Sequence, residues 1–214
     1  MGNNELYLLD KYAERHTAKE SDLLYKINRE THLEVYQPNM MSGHVQGHFL
    51  SIFSKLLQPK TIVEIGTFTG YATLCLAEGL VNTGILHTIE INDELAERCQ
   101  AYFDQSSKKK QIQLHIGNAL DILPEISKPI DLVFIDGDKP NYINYFDLVI
   151  DKVPTGGFIL ADNVLYHNQV LQPEEQQSKN AHAITTFNRK VNNDPRVSPL
   201  LLPLRDGLLI LEKL

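Results

Sequence analysis

Thr61-Ile62-Val63-Glu64-Ile65-Gly66-Thr67-Phe68-Thr69-Gly70-Tyr71 decides how the chain is read. A short β-rich run ends in two glycines, and a helix-like stretch follows to Leu80. Outward from this stretch the same alternation recurs. Further strands are predicted at Ile85–Ile91, Ile112–Ile116, Asp131–Ile135, Phe158–Ala161, Val197–Leu202 and Leu208–Leu211. Most are near-continuous apolar runs, as expected of strands buried on both faces of a parallel sheet. Helices are predicted between them: one starts at Asp93 with Leu95, Cys99, Tyr102 and Phe103 on a single stripe, and others run near Tyr142–Ile150 and Ala181–Val191. Repeated strand–helix alternation gives right-handed crossovers and a doubly wound α/β sheet. Only Pro203 to Gly207 separates the last two strands, so that pair should be an antiparallel hairpin. Residues before the first strand read as helices at Leu6–Arg15, Ser21–Thr31 and Gly43–Leu57, whose apolar stripes need the sheet or a second subunit as cover. The expectation is one domain over 1–214, with N-terminal helices over 1–57 and the α/β core over 58–214.

Composition narrows the function classes. Of 214 residues, 43% are hydrophobic and 22% charged, which are globular proportions. The net charge of −7 makes a poor general binder of nucleic acid or anionic membrane. Lys108-Lys109-Lys110 reads as a solvated turn before a strand. Two cysteines, Cys75 and Cys99, imply no disulfide framework and suit a reducing cytoplasm. No apolar run approaches the ~18 residues that span a bilayer. Met1-Gly2-Asn3-Asn4-Glu5-Leu6 is neither a signal peptide nor a myristoylation site.

In an open α/β sheet ligands bind beyond the carboxyl ends of the strands, where strand order reverses. Gly66 and Gly70 let the first turn pass close to a ligand. Their spacing is G-x-x-x-G, not the G-x-G-x-x-G of pyrophosphate binders. Glu90, after the second strand, can accept both hydroxyls of a ribose, so a nucleoside without a diphosphate is favoured. Asp136 after the fourth strand, with Asp162 and Asn163 after the fifth, offers three hard oxygen ligands at one edge, suited to Mg²⁺ or Ca²⁺ rather than zinc. Lys139 can reach the same pocket, and a lysine beside a divalent cation has its charged form disfavoured, which suits a base. His44 and His48 are spaced i, i+4, but the glutamate of H-E-x-x-H is replaced by Val45, so the pair is expected to face the ligand mouth or solvent.

These motifs resemble the cation-dependent, S-adenosylmethionine-dependent O-methyltransferases of the caffeoyl-CoA and catechol type, especially small bacterial members. The resemblance runs from about residue 41 to 214. It rests on Met41-Ser42, Glu64 to Tyr71, Phe134-Ile135-Asp136-Gly137-Asp138-Lys139-Pro140-Asn141-Tyr142 and Asp162-Asn163-Val164-Leu165. Phe187-Asn188 and Asp206-Gly207 are weaker landmarks. It implies a Rossmann-like class I methyltransferase fold, a seven-stranded sheet with an antiparallel last strand. It places the cofactor against Ser42, Glu64, Gly66, Thr67, Ala72, Glu90, Ala119 and Asp138, and a divalent cation (Mg²⁺, with Ca²⁺ or Mn²⁺ as alternatives) on Asp136, Asp162 and Asn163. Lys139 falls at the general base, with Asp136 beside it, and His167 at a substrate contact. The implied reaction methylates one hydroxyl of a vicinal aromatic diol, and the family implies a homodimer. The sequence departs from the family at Gln46-Gly47-His48, where Glu-Gly-Gln is usual, at Tyr166-His167-Asn168 in place of Trp-x-Gly, and at Ala72, often Ser. Asn168 tolerates the left-handed conformation much as glycine does. Two rival readings stay open: a nicotinamide-dependent reductase, which leaves Asp136, Asp162 and Asn163 unused, and a nucleoside- or metal-binding regulatory module.

Overall fold

The computed structural model describes residues 3–127 and 129–214. Met1 and Gly2, on which the reading of the N-terminal leader partly fell, lie outside the described residues. Helices α1 (Asn3–His16), α2 (Asp22–Glu34) and α3 (His44–Leu57) precede β1 (Thr61–Ile65). Then come α4 (Tyr71–Ala77), β2 (Ile85–Glu90), α5 (Ala96–Phe103), β3 (Ile112–Ile116), α6 (Ala119–Ile122), β4 (Leu132–Ile135), α7 (Tyr142–Val149), β5 (Phe158–Asp162), α8 (Lys179–Asn192), β6 (Val197–Leu202) and β7 (Leu208–Lys213). The predicted elements all form, with local differences at their ends. The helix expected at Asp93 starts as a 3₁₀ turn, Asp93–Leu95, capped by the Asn92 side chain accepting from Glu94 N, and becomes α-helical at Ala96. α4 stops at Ala77, and two residues on Gly79 lies so close to the backbone of Ser54 in α3 that a Cβ would collide. Asp131 stands outside β4; its carboxylate accepts from Lys60 N and Thr61 N and so fixes the start of β1.

One seven-stranded sheet has the order β3-β2-β1-β4-β5-β7-β6. All its pairings are parallel except those of β7, which is antiparallel to β6, as their short connection required, and also to β5. Alternate residues of each central strand face opposite layers. Ile62, Leu86, Leu132, Phe134 and Leu160 pack with Leu24, Ile27, Leu50, Leu76, Cys99 and Phe103 of α2, α3, α4 and α5. Val63, Ile89, Val133 and Ile159 pack on the other face with Phe146, Ile184 and Phe187 of α7 and α8. The sheet thus covers α2 and α3, while Leu8, Leu9 and Tyr12 of α1 stay exposed.

Strand order reverses between β1 and β4, so the crevice opens between their carboxyl ends. One side-chain expectation changes. Lys108 is not simply solvated: its Nζ donates to Leu80 O at 3.0 Å. His44 has Nδ1 3.9 Å from Glu20 Oε1, and His48 is within electrostatic reach of Glu78. Among the described residues no helix is long and apolar enough to cross a membrane.

Candidate active site

Glu64, the fourth residue of β1, is fully buried beneath the crevice. Its Oε2 accepts from the hydroxyls of Thr73 (2.5 Å) and Thr88 (2.6 Å), while Oε1 has no partner. Burial raises its pKa from the usual carboxyl range to about 8, although the two hydroxyls favour the charged form. Thr67 shares this network through Thr88 (2.5 Å), so its side chain is committed inward and only its backbone is left to face a ligand. Gly66 has φ +99° and sits so close to the carbonyl of Asp136 that a Cβ would collide. That glycine is demanded by the neighbouring strand as much as by any ligand.

Ser42, Gly66, Thr67, Tyr71, Ala72 and Asp136 line one narrow cleft together with Met41. Glu90, Ala119 and Asp138 stand along the same edge, at or after the ends of β2, β3 and β4. The carboxylate of Glu90 accepts from Phe68 N (Oε2, 2.7 Å) and from Asn92 N (Oε1, 2.9 Å), pinning the β1–α4 loop where Phe68 adopts φ +49°. Each oxygen keeps a second lone pair, which is what a ribose diol needs. Asp138 accepts from Asn141 Nδ2 and the Tyr145 hydroxyl.

Asp136, Lys139, Asp162 and Asn163 meet beside this cleft. Lys139 Nζ donates to Asp136 Oδ1 (3.2 Å), Asn163 Oδ1 (2.8 Å) and the Tyr142 hydroxyl (2.7 Å). Three acceptors for three donors is the surrounding of an ammonium. Tyr142 is fully buried and its hydroxyl donates to Asp162 O (3.0 Å), with Ile135 O at 3.3 Å. Asp162 Oδ1 accepts from Asn163 N (2.8 Å) and Oδ2 from Gln46 Nε2 (2.7 Å). Asn163 adopts φ +57°, which brings its side-chain oxygen round to Lys139. Burial raises the pKa of Asp136; Lys139 opposes that rise and Asp162 adds to it.

These residues fit a hard divalent cation. Two carboxylates and an amide oxygen gather at one edge, and the cation among them now is the Lys139 ammonium. Among the described residues no group of three His, Cys, Asp or Glu is placed to hold a metal.

The outer wall comes from the loop after β5. Tyr166, His167 and Asn168 all have left-handed backbones, φ +43° to +61°, so the turn expected of Asn168 takes in its two predecessors. His167 is 76% exposed, with Nδ1 3.7 Å from Asp206 Oδ2, at the rim rather than inside. Gln46, Tyr142 and Arg205 were not assigned to the site from sequence. Gln46 stood out only as a departure from the family pattern, and Tyr142 only as the last residue of a quoted motif.

The chain is similar to known proteins over most of its length. Residues 14–214 match the model of an O-methyltransferase family. Catechol O-methyltransferase of Niastella koreensis is 32% identical over 200 residues, covering 89% of this chain and 90% of that one. Caffeoyl-CoA O-methyltransferase 5 of Nicotiana tabacum is 28% identical, covering 91% and 92%. Among solved structures, the O-methyltransferase TomG of Streptomyces achromogenes, in complex with SAM, superposes with a TM-score of 0.90 at 27% identity, covering 100% of this chain and 99% of that one.

Proposed function

The chain belongs to the O-methyltransferase family and is an S-adenosylmethionine-dependent O-methyltransferase; on that premise we propose that it methylates one hydroxyl of a vicinal aromatic diol. The observation that carries the finer reading is the position of Lys139 Nζ, 3.2 Å from Asp136 Oδ1 and 2.8 Å from Asn163 Oδ1. A base is thereby held against the oxygens that suit a divalent cation.

Asp136, Asp162 and Asn163 would hold the cation, with Mg²⁺ the best match to their hard oxygens and Ca²⁺ or Mn²⁺ as alternatives. Bound there, it would supply chelation of both diol oxygens and charge stabilisation of the phenolate. Lys139, as the neutral amine left once its ammonium has given one proton to solvent, would take the phenolic proton and return to the ammonium form. A phenol of pKa ~10 is mostly protonated at neutral pH, so such a base is needed. Tyr142 keeps the lysine nitrogen in place through its hydroxyl, and Gln46 keeps the Asp162 carboxylate turned in one direction. The unpartnered Glu64 Oε1 and the spare lone pairs of Glu90 suit the methionine ammonium and the ribose of the methyl donor.

The test is a methyl-transfer assay over catechols, flavonoids and caffeoyl thioesters, with Mg²⁺ and with a chelator. Transfer to diols that stops in chelator, returns with Mg²⁺ and fails on monohydroxylated phenols is expected. Full transfer in the chelator would remove the cation from the reading.

A further inference from the structure

Arg205, in the turn from β6 to β7, has φ +51°, a conformation that glycine adopts freely and a long side chain resists. The turn is tied down on two sides. Leu165 N donates to Asp206 O (2.9 Å) and Val164 N to Gly207 O (3.1 Å), joining it to the loop that follows Asp162 and Asn163. On the opposite side Arg205 Nη1 donates to Met41 O (3.1 Å) and to Ser42 O, in the wall of the cleft. Its positive charge is felt at Asp136 and Tyr71, which line that cleft. Among the described residues no carboxylate lies within ion-pair distance of it. An exposed guanidinium therefore stands between the two walls of the mouth, anchored through one nitrogen, with the donors on Nε and Nη2 unspent.

A strained backbone that persists points to a use for the side chain it carries. The site already holds Asp136 and Asp162, in a chain of net charge −7, so an anionic molecule entering it needs a local cation at the rim. The planar guanidinium fork matches a carboxylate in shape and charge. Resting on the function proposed above, we propose that Arg205 anchors the acceptor through a carboxylate, so that this enzyme prefers vicinal diols bearing an acid group to neutral diols of the same shape.

Titration calorimetry on the enzyme saturated with S-adenosylhomocysteine and Mg²⁺ tests this, comparing a vicinal dihydroxybenzoate with the corresponding dihydroxybenzyl alcohol. The acid should bind about tenfold tighter, the scale of one charge-assisted pair at a partly exposed site. Arg205→Leu should bring the two affinities close to parity, and Arg205→Lys should keep part of the preference. Arg205→Gly, which also relieves the left-handed backbone, gives the same reading should the leucine variant fail to fold. Equal affinities in the wild-type enzyme, no binding of either diol, or a preference that survives in the leucine and glycine variants would each overturn the proposal. So would weaker S-adenosylhomocysteine binding with the ratio unchanged, which would assign Arg205 to the methionine carboxylate. No turnover occurs in this complex, so binding without methyl transfer in the separate assay would count against the proposed reaction and not against Arg205.

Discussion

Gln46 Nε2 donates to Asp162 Oδ2 at 2.7 Å, linking two side chains buried in the body of the protein and 116 residues apart. The carboxylate settles which end of the amide faces it, since only the NH₂ can donate. The amide oxygen is left buried and unpartnered. The bond sets a donor, and not another acceptor, against the Asp162 carboxylate on the side of α3.

Gln46→Glu should therefore unsettle the cation-free protein. Two buried carboxyls within hydrogen-bond distance cannot both ionise at low cost, and the loss should be about 1–3 kcal/mol of stability at neutral pH. Thermal unfolding with and without Mg²⁺ checks this, because a cation on Asp162 should narrow the deficit. A deficit that Mg²⁺ leaves unchanged would make Gln46 a packing residue only.

Lys139→Ala should lower turnover by about 10²–10⁴-fold, the usual contribution of a general base, while S-adenosylmethionine still binds. The loss should shrink on catechols with more acidic phenols, which need less help to deprotonate. A rate series over substituted catechols reads the slope. Equal losses throughout would leave Lys139 the task of orienting Asp136 and Asn163.

Glu90→Ala should act twice. The two backbone N–H groups it accepts from, at Phe68 and Asn92, lose their partner, so the β1–α4 loop should loosen. Cofactor binding should weaken by roughly 1.5–3 kcal/mol, the worth of charge-assisted hydrogen bonds. Hydrogen exchange at Phe68 together with cofactor titration separates the two, since a purely structural role would raise exchange and leave the dissociation constant alone.

Glu64 makes the stability of the ligand-free enzyme depend on pH. Its carboxyl ionises at about 8 in the folded chain and near 4.5 when unfolded. Between those values the folded protein holds more protons, so stability falls as pH rises through that span and is unaffected by this group below it. The slope is about 1.4 kcal/mol per pH unit at its steepest. Glu64→Gln, neutral at every pH, should flatten the profile, as denaturant unfolding at several pH values would show. A profile equally steep in the variant would move the effect to another group.

The sheet was legible in the sequence because each buried strand is a local apolar run ending in a turn, as at Thr61–Ile65 and Leu132–Ile135. The short link from Pro203 to Gly207 was enough to reverse the last strand. Asp136, Lys139, Asp162 and Asn163 were legible for the same reason: a polar residue directly after a buried strand lies at the carboxyl edge whatever the helices do. The sequence could not say where side chains on separate elements meet. That the Thr67 hydroxyl meets Thr88 on the neighbouring strand is visible only in the folded chain. The pairing of His44 with Glu20 depends on how α3 docks. Gln46 and Arg205 gain their roles only once α3 and the β6–β7 turn close on the same crevice. Strands and turns arise from interactions between near neighbours in the chain, so the sequence determined them. The partners of Asp162 and Arg205 come from helices and loops packed across the sheet, and only the tertiary structure decided those.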